Sequence, residues 1–416
     1  MQFASGRWLA AMRYRDFRLL WTGEFISAAG TEMFFVSLNW QMYLLTHSAL
    51  ALGLIGLARS LPIILFSLLG GTFADAHNRK KILYVTQSIM ILCSLLLAFS
   101  TFTHLVTPPL MYLLTGLDAA AVAFDMPARS ALVPNLVDRK DLANALSIYE
   151  ILWQIASITG PAIAGFLIAS IGVGGVYSID AVSTVAVLLA LLLIHNPGEP
   201  GGEKTAVSFA SMKEGLAFVR SKTILWSTML LDFLGTFLAS AITLLPIYAK
   251  DILHVGPQGL GLLYAAPTAG ALLAGFFMAQ YGQSIKRQGK VLLLAIAAYA
   301  LATILFGVSR VYPLSLLALA LVGGSDCVSM VIRQTIRQLA TPDWIRGRMS
   351  SIMMIFFMGG PQLGEFEAGL VAAAVGAPLS VVLGGAATLG MLGIMALSIP
   401  TLRNYRNVWE ELSPSR

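Results

Sequence analysis

The residues GGTFADAHNRKK (70–81) separate two long apolar runs near 50–74 and 82–103. The last three residues of this short connection are all basic. A membrane-spanning helix needs about 20 mostly apolar residues, and short loops rich in Lys and Arg stay on the cytoplasmic side. The stretch therefore predicts two membrane helices joined by a cytoplasmic loop.

The rest of the chain repeats this arrangement. Of the 416 residues, 57% are apolar and only 12% are charged, a composition that excludes an ordinary water-soluble domain. About twelve apolar runs lie near 18–44, 50–74, 82–103, 109–130, 145–171, 176–195, 224–249, 258–282, 290–309, 313–338, 349–375 and 378–400. Nearly all of the 27 Lys and Arg residues lie in alternate gaps between these runs or at the two ends. The sequence therefore predicts an all-α, multi-pass protein of the plasma membrane with both termini in the cytoplasm.

One long polar connection divides the predicted spans into two sets of six. It begins at Asn196, is rich in Pro and Gly, and contains a short amphipathic stretch over 209–219. We expect an N-terminal six-helix bundle (1–195), a cytoplasmic linker with a short amphipathic helix (196–223) and a C-terminal six-helix bundle (224–416). A Gly-Pro pair at 160–161 recurs at 360–361, as two related halves would give. The net charge of +6 then reflects topology and not nucleic-acid binding.

Ionisable side chains lie inside most of the predicted spans. They are Glu24, Glu32, Arg59, Asp118, Asp125, Glu150, Asp180, Asp232, Asp326, Glu365 and Glu367. A charge at the centre of a bilayer costs about 2.5–3.5 kcal/mol on insertion scales, so each one is a functional candidate. The alternative for any single residue is a salt bridge that only fixes helix packing.

Helical geometry relates some of these acids to one another. Asp118 and Asp125 are seven residues apart and share one face of a helix at two depths. Glu365 and Glu367 point about 160° apart, so at most one of them faces a central cavity.

The loop between the second and third spans resembles the signature of the major facilitator superfamily. That pattern is Gly, then Asp four residues later, then a basic cluster, and here it reads Gly71, Asp75 and Arg79 with two lysines after it. The resemblance implies twelve transmembrane helices in two pseudo-symmetric bundles around a central cavity. It also implies that Asp75 contacts the N-terminal end of another helix, and that Arg79 reaches an acid on span four, for which Asp125 is the candidate.

The pair Gly160-Pro161 in span five is similar to the antiporter motif of this superfamily, which favours export over uptake. Small residues let helices approach closely, and proline allows the helix to bend. Close packing alone is the alternative interpretation. With this motif, the residues expected to gate the conformational change are Gly71, Asp75, Arg79, Asp125, Gly160 and Pro161.

Longer stretches resemble the branch of the superfamily that contains the enterobactin exporter and macrolide-efflux proteins. They are Asp16 to Trp21, Ser60 to Pro62, Leu244 to Pro246, Gly256 to Gly261, Arg346 to Arg348 and Gly364 to Gly369. The resemblance covers nearly the whole chain. The chain departs from many relatives in span one, where Gly30 is followed by Thr31 and Glu32 instead of directly by Asp.

The resemblance implies a secondary exporter that moves a small amphiphilic or aromatic compound, such as the siderophore enterobactin, out across the inner membrane by proton antiport with alternating access. The expected substrate- or proton-binding residues are Glu32, Arg59, Asp118, Asp232, Asp326 and Glu365. The alternatives are a broad drug or macrolide exporter, a lysophospholipid flippase of the same fold, and a transporter-like receptor.

Enzyme chemistry is not expected. No Gly-rich phosphate loop ending in Gly-Lys-Ser or Gly-Lys-Thr occurs, and the five histidines have no metal-ligand spacing. We therefore expect no metal and no cofactor. The expected partners are the small-molecule substrate, protons and membrane lipids, for a protein that acts as a monomer.

Overall fold

The computed structural model of the protein describes residues 9–199, 217–341 and 346–405, and for 346–359 it describes the helix alone. In these ranges every regular element is helical. The long helices are α1 (Arg15–Thr46), α2 (Ala49–Ala76), α3 (Arg79–Phe102), α4 (Pro108–Leu132), α5 (Leu142–Leu193), α6 (Thr223–Leu238), α7 (Gly256–Tyr281), α8 (Gln288–Val308), α9 (Tyr312–Ala340), α10 (Arg346–Val375) and α11 (Ala377–Ser398). Short helical turns, Ile242–Leu244, Leu245–Ile247 and Tyr248–Ile252, follow α6, and Pro400–Arg403 follows α11.

The loop between α2 and α3 shows how polar residues end one helix and begin the next. The Asn78 side chain accepts a hydrogen bond from the backbone N–H of Lys81 at 3.1 Å and so caps α3. The same asparagine donates to the carbonyl of Pro197 at 2.7 Å, and Lys80 donates to the carbonyl of Ile194 at 2.8 Å. These bonds hold the basic loop against the end of α5.

Asp16, from the stretch that carries the branch resemblance, holds α1 to the same place. Its carboxylate accepts the backbone N–H groups of His195 and Asn196, at 3.0 and 3.1 Å.

The helix α5 contains two of the predicted spans in one element. Gly172 interrupts it with φ +76° and ψ 171°, where the chain changes direction. At about 1.5 Å per residue, its 52 residues are more than twice as long as a hydrocarbon core of about 30 Å. The two arms, 142–171 and 173–193, correspond to predicted spans five and six.

Within the described ranges, nine helices are long and apolar enough to cross a membrane by length and composition, and α5 counts once among them. Their outer faces carry large apolar side chains. Phe99 is 62% exposed, Phe276 70% and Leu397 78%. Apolar exposure over whole helix faces is unfavourable in water and favourable in lipid, so this is an all-α membrane protein. The count of twelve crossings is consistent with these helices.

The contacts divide the described residues into two compact units. Unit 1 lies within Met1–His47, Leu57–Ala206 and Val255–Ala265, and unit 2 within Ser48–Gly56, Val207–His254 and Ala266–Arg416. The boundaries predicted at 195 and 224 stay a prediction. Residues 200–216 of the linker lie outside the described residues, and these include most of the amphipathic stretch predicted at 209–219. The end of that stretch, from 217, is helical.

Each unit has an apolar core of its own. In unit 1, α1 packs against both arms of α5, and Leu20, Leu83 and Leu132 bring α1, α3 and α4 together. In unit 2, α8 packs between α9 and α11, with Leu292 and Ile336 fully buried. These cores fix the rotation of the helices that carry the buried charges.

Substitution of Gly172 should destabilise the protein. Its positive φ is unfavourable for any residue with a Cβ, so we expect Gly172→Ala to cost on the order of 1 kcal/mol. Gly390→Ala, inside α11 with no atom within 4 Å of the added Cβ, is the matched control and should be neutral or stabilising. Melting temperatures of the purified variants in detergent measure the difference. Equal melting temperatures would contradict a strained reversal at Gly172.

Candidate functional site

A buried cluster of two acids and one arginine lies in unit 1. The Arg129 guanidinium contacts the carboxylates of Glu24 on α1 and Asp125 on α4, and its Nε donates to Asp125 Oδ2 at 2.8 Å. Glu24 is 1% exposed and Asp125 3%. Thr86 and Gln87 on α3 donate to the other oxygen of Asp125, each at 2.8 Å. The Arg129 guanidinium therefore joins α4 to α1, and the Asp125 carboxylate joins α4 to α3.

The expected partner of Asp125 was wrong. The sequence pattern paired it with Arg79, but Arg79 donates to the backbone carbonyl of Ala131 at 2.9 Å. Arg129 lies one turn beyond Asp125 on the same helix, and side chains four residues apart on a helix are neighbours. The local arginine therefore takes the carboxylate, and Arg79 is left to bond the carbonyl near the end of α4.

Glu32 lies further along α1, against the first arm of α5. Ser157 donates to Glu32 Oε1 at 2.8 Å. One turn later, a Cβ at Gly160 would lie 2.6 Å from the Glu32 Cβ, so only glycine permits this approach. Pro161 is buried beside it. The Gly-Pro motif thus places α5 directly against the half-buried acid of span one.

A second group of charges in unit 1 surrounds Asp118 on α4. Asp118 is half-buried and interacts electrostatically with Asp180 and Arg59. Asp180, 6% exposed, accepts from Ser94 at 2.5 Å through Oδ2, while its Oδ1 has no hydrogen-bond partner among the described residues. The Arg59 guanidinium stacks over the Phe35 ring at 3.8 Å from the centroid. It also lies within electrostatic range of Glu32 on α1.

Unit 2 contains the counterpart of the Arg129 cluster. Asp232 on α6 forms an ion pair with Arg333 at 2.9 Å and accepts a hydrogen bond from Arg337 at 2.8 Å, both on α9. Asp326 lies two helical turns before Arg333 on α9, and its Oδ1 is 3.5 Å from Arg333 Nη2. The two arginines are 4% and 9% exposed, whereas the Asp326 side chain is 43% exposed.

The two sets of charges correspond residue by residue. Glu24 and Asp232, Asp118 and Asp326, Asp125 and Arg333, and Arg129 and Arg337 are each 208 residues apart. Three of these pairs keep the sign of the charge. The pair of Asp125 and Arg333 reverses it from acid to arginine. The two halves therefore place charges at the same four positions, but unit 2 has one acid fewer and one arginine more at them.

Three other predicted residues lie apart from these clusters. Asp75 is exposed, and an added Cβ at Gly71 would meet no atom within 4 Å. The predicted contact of Asp75 with a helix end stays a prediction. Glu365 on α10 is half-buried against Gly56 at the start of α2, where a Cβ would lie 2.8 Å from the Glu365 Cβ.

The candidate site residues predicted from the sequence omitted four members of these clusters. Glu24 is an intramembrane acid in the sequence analysis but is not among the expected binding or gating residues. Arg129, Arg333 and Arg337 lie near the ends of predicted spans and are not among those residues either. The constant spacing of 208 residues and the Asp125–Arg129 helical spacing were the signals that identify them.

Comparison with known proteins agrees with this architecture. The pattern of the family described as transmembrane secretion effector, a major facilitator family, matches residues 6–412. The enterobactin exporter EntS of Salmonella choleraesuis (strain SC-B67) is 27% identical over 396 residues, covering 94% of each chain. EntS of Escherichia coli O1:K1 / APEC is 27% identical over 403 residues, covering 96% of this chain and 95% of that protein.

Solved structures show the same fold. The nucleoside transporter NupG has a TM-score of 0.72 at 15% identity, covering 94% of this chain and all of that one. A bacterial homologue of the iron transporter ferroportin has a TM-score of 0.68 at 15% identity, covering 91% of this chain and 98% of that one.

The helical fold and the paired buried charges define a transporter of the major facilitator superfamily. The chain belongs to the transmembrane secretion effector family, in the branch of the enterobactin exporters, and is a multi-pass protein of the inner membrane. Its relatives are transporters and not enzymes.

Removal of the shared guanidinium should be far more damaging than removal of one acid. Arg129→Gln leaves the carboxylates of Glu24 and Asp125 buried without a cation, and breaking such a pair from one side costs about 3–5 kcal/mol. Glu24→Gln leaves Asp125 paired with Arg129 and is the matched control. We expect Arg129→Gln to lower the melting temperature much more than Glu24→Gln does. Equal losses would contradict the shared role of Arg129.

Proposed function

We propose that the protein is a proton-coupled exporter that moves a small amphiphilic or aromatic compound, of the siderophore type, out across the inner membrane. Glu32 carries this proposal. It is a half-buried membrane acid that accepts a hydrogen bond from a neutral hydroxyl, that of Ser157. A carboxylate in such a place is stable when it binds a proton and also when a substrate or a nearby cation replaces that proton.

In the proposed cycle, Glu32 and Asp118 exchange protons for substrate. Arg59 lies within electrostatic range of both acids, and its positive charge favours their ionised forms. Substrate binding from the cytoplasm releases the proton, and release outside allows the acid to bind a proton again. Asp232, Asp326 and Glu365 complete the proposed substrate- and proton-binding set.

The residues proposed to gate the cycle are Gly71, Asp75, Arg79, Asp125, Gly160 and Pro161. Two features support this role. The basic loop is hydrogen-bonded to the end of α5, and Gly160 sets the packing distance between α5 and Glu32. A change in the charge of Glu32 therefore acts directly on the packing of α1 against α5. We further propose two pseudo-symmetric six-helix bundles, cytoplasmic termini and a monomer that works with protons and lipids.

The siderophore substrate is proposed because the EntS relatives are named enterobactin exporters. Two other cargo classes compete with it, a macrolide-like drug and a lysophospholipid. A drug exporter shares the dependence on Glu32 but accepts many unrelated aromatic compounds. A lipid flippase responds to acyl-chain length.

Glu32→Gln should abolish gradient-driven accumulation of substrate in everted vesicles while binding stays detectable. The neutral amide keeps the size of the side chain but cannot exchange a proton. Uptake of a catecholate siderophore, a macrolide and a lysophospholipid is measured with and without a proton gradient. Glu150→Gln, an exposed acid on α5, is the matched control and should retain transport.

Accumulation by Glu32→Gln at the wild-type rate would remove Glu32 from the mechanism. Uptake of the lysophospholipid alone, independent of the gradient, would replace export of a soluble compound by lipid movement.

A further inference from the structure

A buried carboxyl group lies in unit 1, on the second arm of α5. Asp180 is 6% exposed, and Ser94 on α3 donates to its Oδ2 at 2.5 Å. Its Oδ1 has no hydrogen-bond partner in the described part of the chain. This oxygen faces α1, since a Cβ added at Gly30 would lie 3.1 Å from it. The carboxyl group is therefore enclosed by α1, α3 and α5, and the hydrogen bond that it accepts comes from a neutral hydroxyl.

The charges closest to this carboxyl group do not neutralise it. Asp118 on α4 has the same sign and interacts electrostatically with Asp180. Arg59 interacts with Asp118 and stacks on the ring of Phe35. Inside the membrane, the salt bridges in the described part of unit 1 are those of Arg129, and Asp180 belongs to none of them.

The other titratable side chains on the neighbouring helices are neutral or face away. Cys93 on α3 is a free thiol. Tyr177, on the same arm as Asp180, donates its hydroxyl proton to a glutamine side chain of α1. Glu32 is two residues after Gly30, which places it about 160° around α1, against the first arm of α5.

An ionised Asp180 would be unfavourable in these surroundings. A buried charge without an opposite charge costs far more free energy than a neutral carboxyl group with one hydrogen bond unmade. A second negative charge on Asp118 would add repulsion. The geometry therefore favours an Asp180 that carries a proton while the helices are packed in this way.

The corresponding position of unit 2 is a glycine. The second arm of α5 begins after Gly172 and α11 begins after Gly376, both with positive φ, and Asp180 and Gly384 are each eight residues further along. A Cβ added at Gly384 would collide with the carbonyl oxygen of Leu238 at the end of α6. The fold therefore does not need an acid at this position, and unit 1 leaves room for one.

We propose that Asp180 is a further proton carrier of the transporter, which holds a proton while α1, α3 and α5 enclose it. When these helices move apart, the proton passes from the Asp180 carboxyl group to the Asp118 carboxylate, so the step needs no other reactant. This inference rests on the proposed proton-coupled export and adds Asp180 to the acids that take part in it.

Infrared spectroscopy of the protein in lipid nanodiscs tests for the bound proton without transport. A protonated carboxyl group has a C=O stretching band that a carboxylate lacks, and isotope-labelled aspartate separates this band from that of glutamate. At neutral pH we expect the wild type to show such an aspartate band. Ser94→Ala should move part of it to higher frequency, because the C=O group loses a hydrogen bond, and Asp180→Asn should remove that part.

Ser183→Ala is the matched control. The Ser183 hydroxyl donates to the backbone carbonyl of Asp180 at 2.8 Å and not to its side chain, so its loss should leave the band in place. Asp180→Asn keeps an oxygen for Ser94 and should melt at the wild-type temperature. Should it fail to fold, Ser94→Ala alone decides the question. The absence of an aspartate band in the wild type, or a band that Ser94→Ala does not move, would overturn the inference.

Accumulation in everted vesicles tests whether the proton on Asp180 is coupled to transport. The membrane potential is abolished with potassium and valinomycin, a pH difference of about one unit is imposed, and a catecholate siderophore, a macrolide and a lysophospholipid are supplied. With one coupled proton fewer, Asp180→Asn should lower the limiting accumulation ratio about ten-fold. Glu150→Gln, an exposed acid on the first arm of α5, is the control and should keep the wild-type ratio.

The two proposals can fail separately. A wild type driven by the gradient, together with an unchanged ratio in Asp180→Asn, would overturn the role of Asp180 and leave proton-coupled export standing. A wild type that accumulates none of the three compounds in response to the gradient would overturn the proposed function. An aspartate band that depends on Ser94 would then still show a proton bound at Asp180.

Discussion

The structure depends on one constraint, that a charged side chain inside the bilayer needs a partner of opposite charge. An ionised carboxylate or guanidinium in hydrocarbon is stable only when an opposite charge and hydrogen-bond donors replace its water. Arg129 meets this requirement for Glu24 and Asp125 together, and Thr86 and Gln87 complete the bonding of Asp125. The cluster therefore fixes the rotation of α1, α3 and α4, and so determines what else these helices present.

Two acids outside such clusters are the ones that we propose for proton exchange. Glu32 has a hydroxyl partner, and Asp118 is half-buried beside Asp180 and Arg59. In unit 2 the balance differs, because Arg333 stands where unit 1 has Asp125. The two units therefore differ in the number of buried acids and arginines that they contain.

The sequence predicted the helices well because the apolar runs and basic loops are direct consequences of the bilayer. The run at 109–130 became α4, Pro108–Leu132, and the runs at 145–171 and 176–195 became the two arms of α5 on either side of Gly172. Side-chain pairing was harder. Arg79 was matched to Asp125 by family pattern, whereas one helical turn brings Arg129 nearer. Partners on different helices, such as Glu24, depend on helix rotations that a linear pattern does not contain.

The central claim is that Glu32 and Asp118 lie on a water-filled path that opens alternately to either side of the membrane. Labelling of Glu32→Cys and Asp118→Cys by an impermeant maleimide, in right-side-out and everted vesicles with Cys93 and Cys327 replaced by serine, tests it directly. We predict labelling of both positions from either side of the membrane, and little labelling of Leu92→Cys, whose side chain is exposed on the outer face of α3. Labelling from one side only, or no labelling at all, would contradict the account.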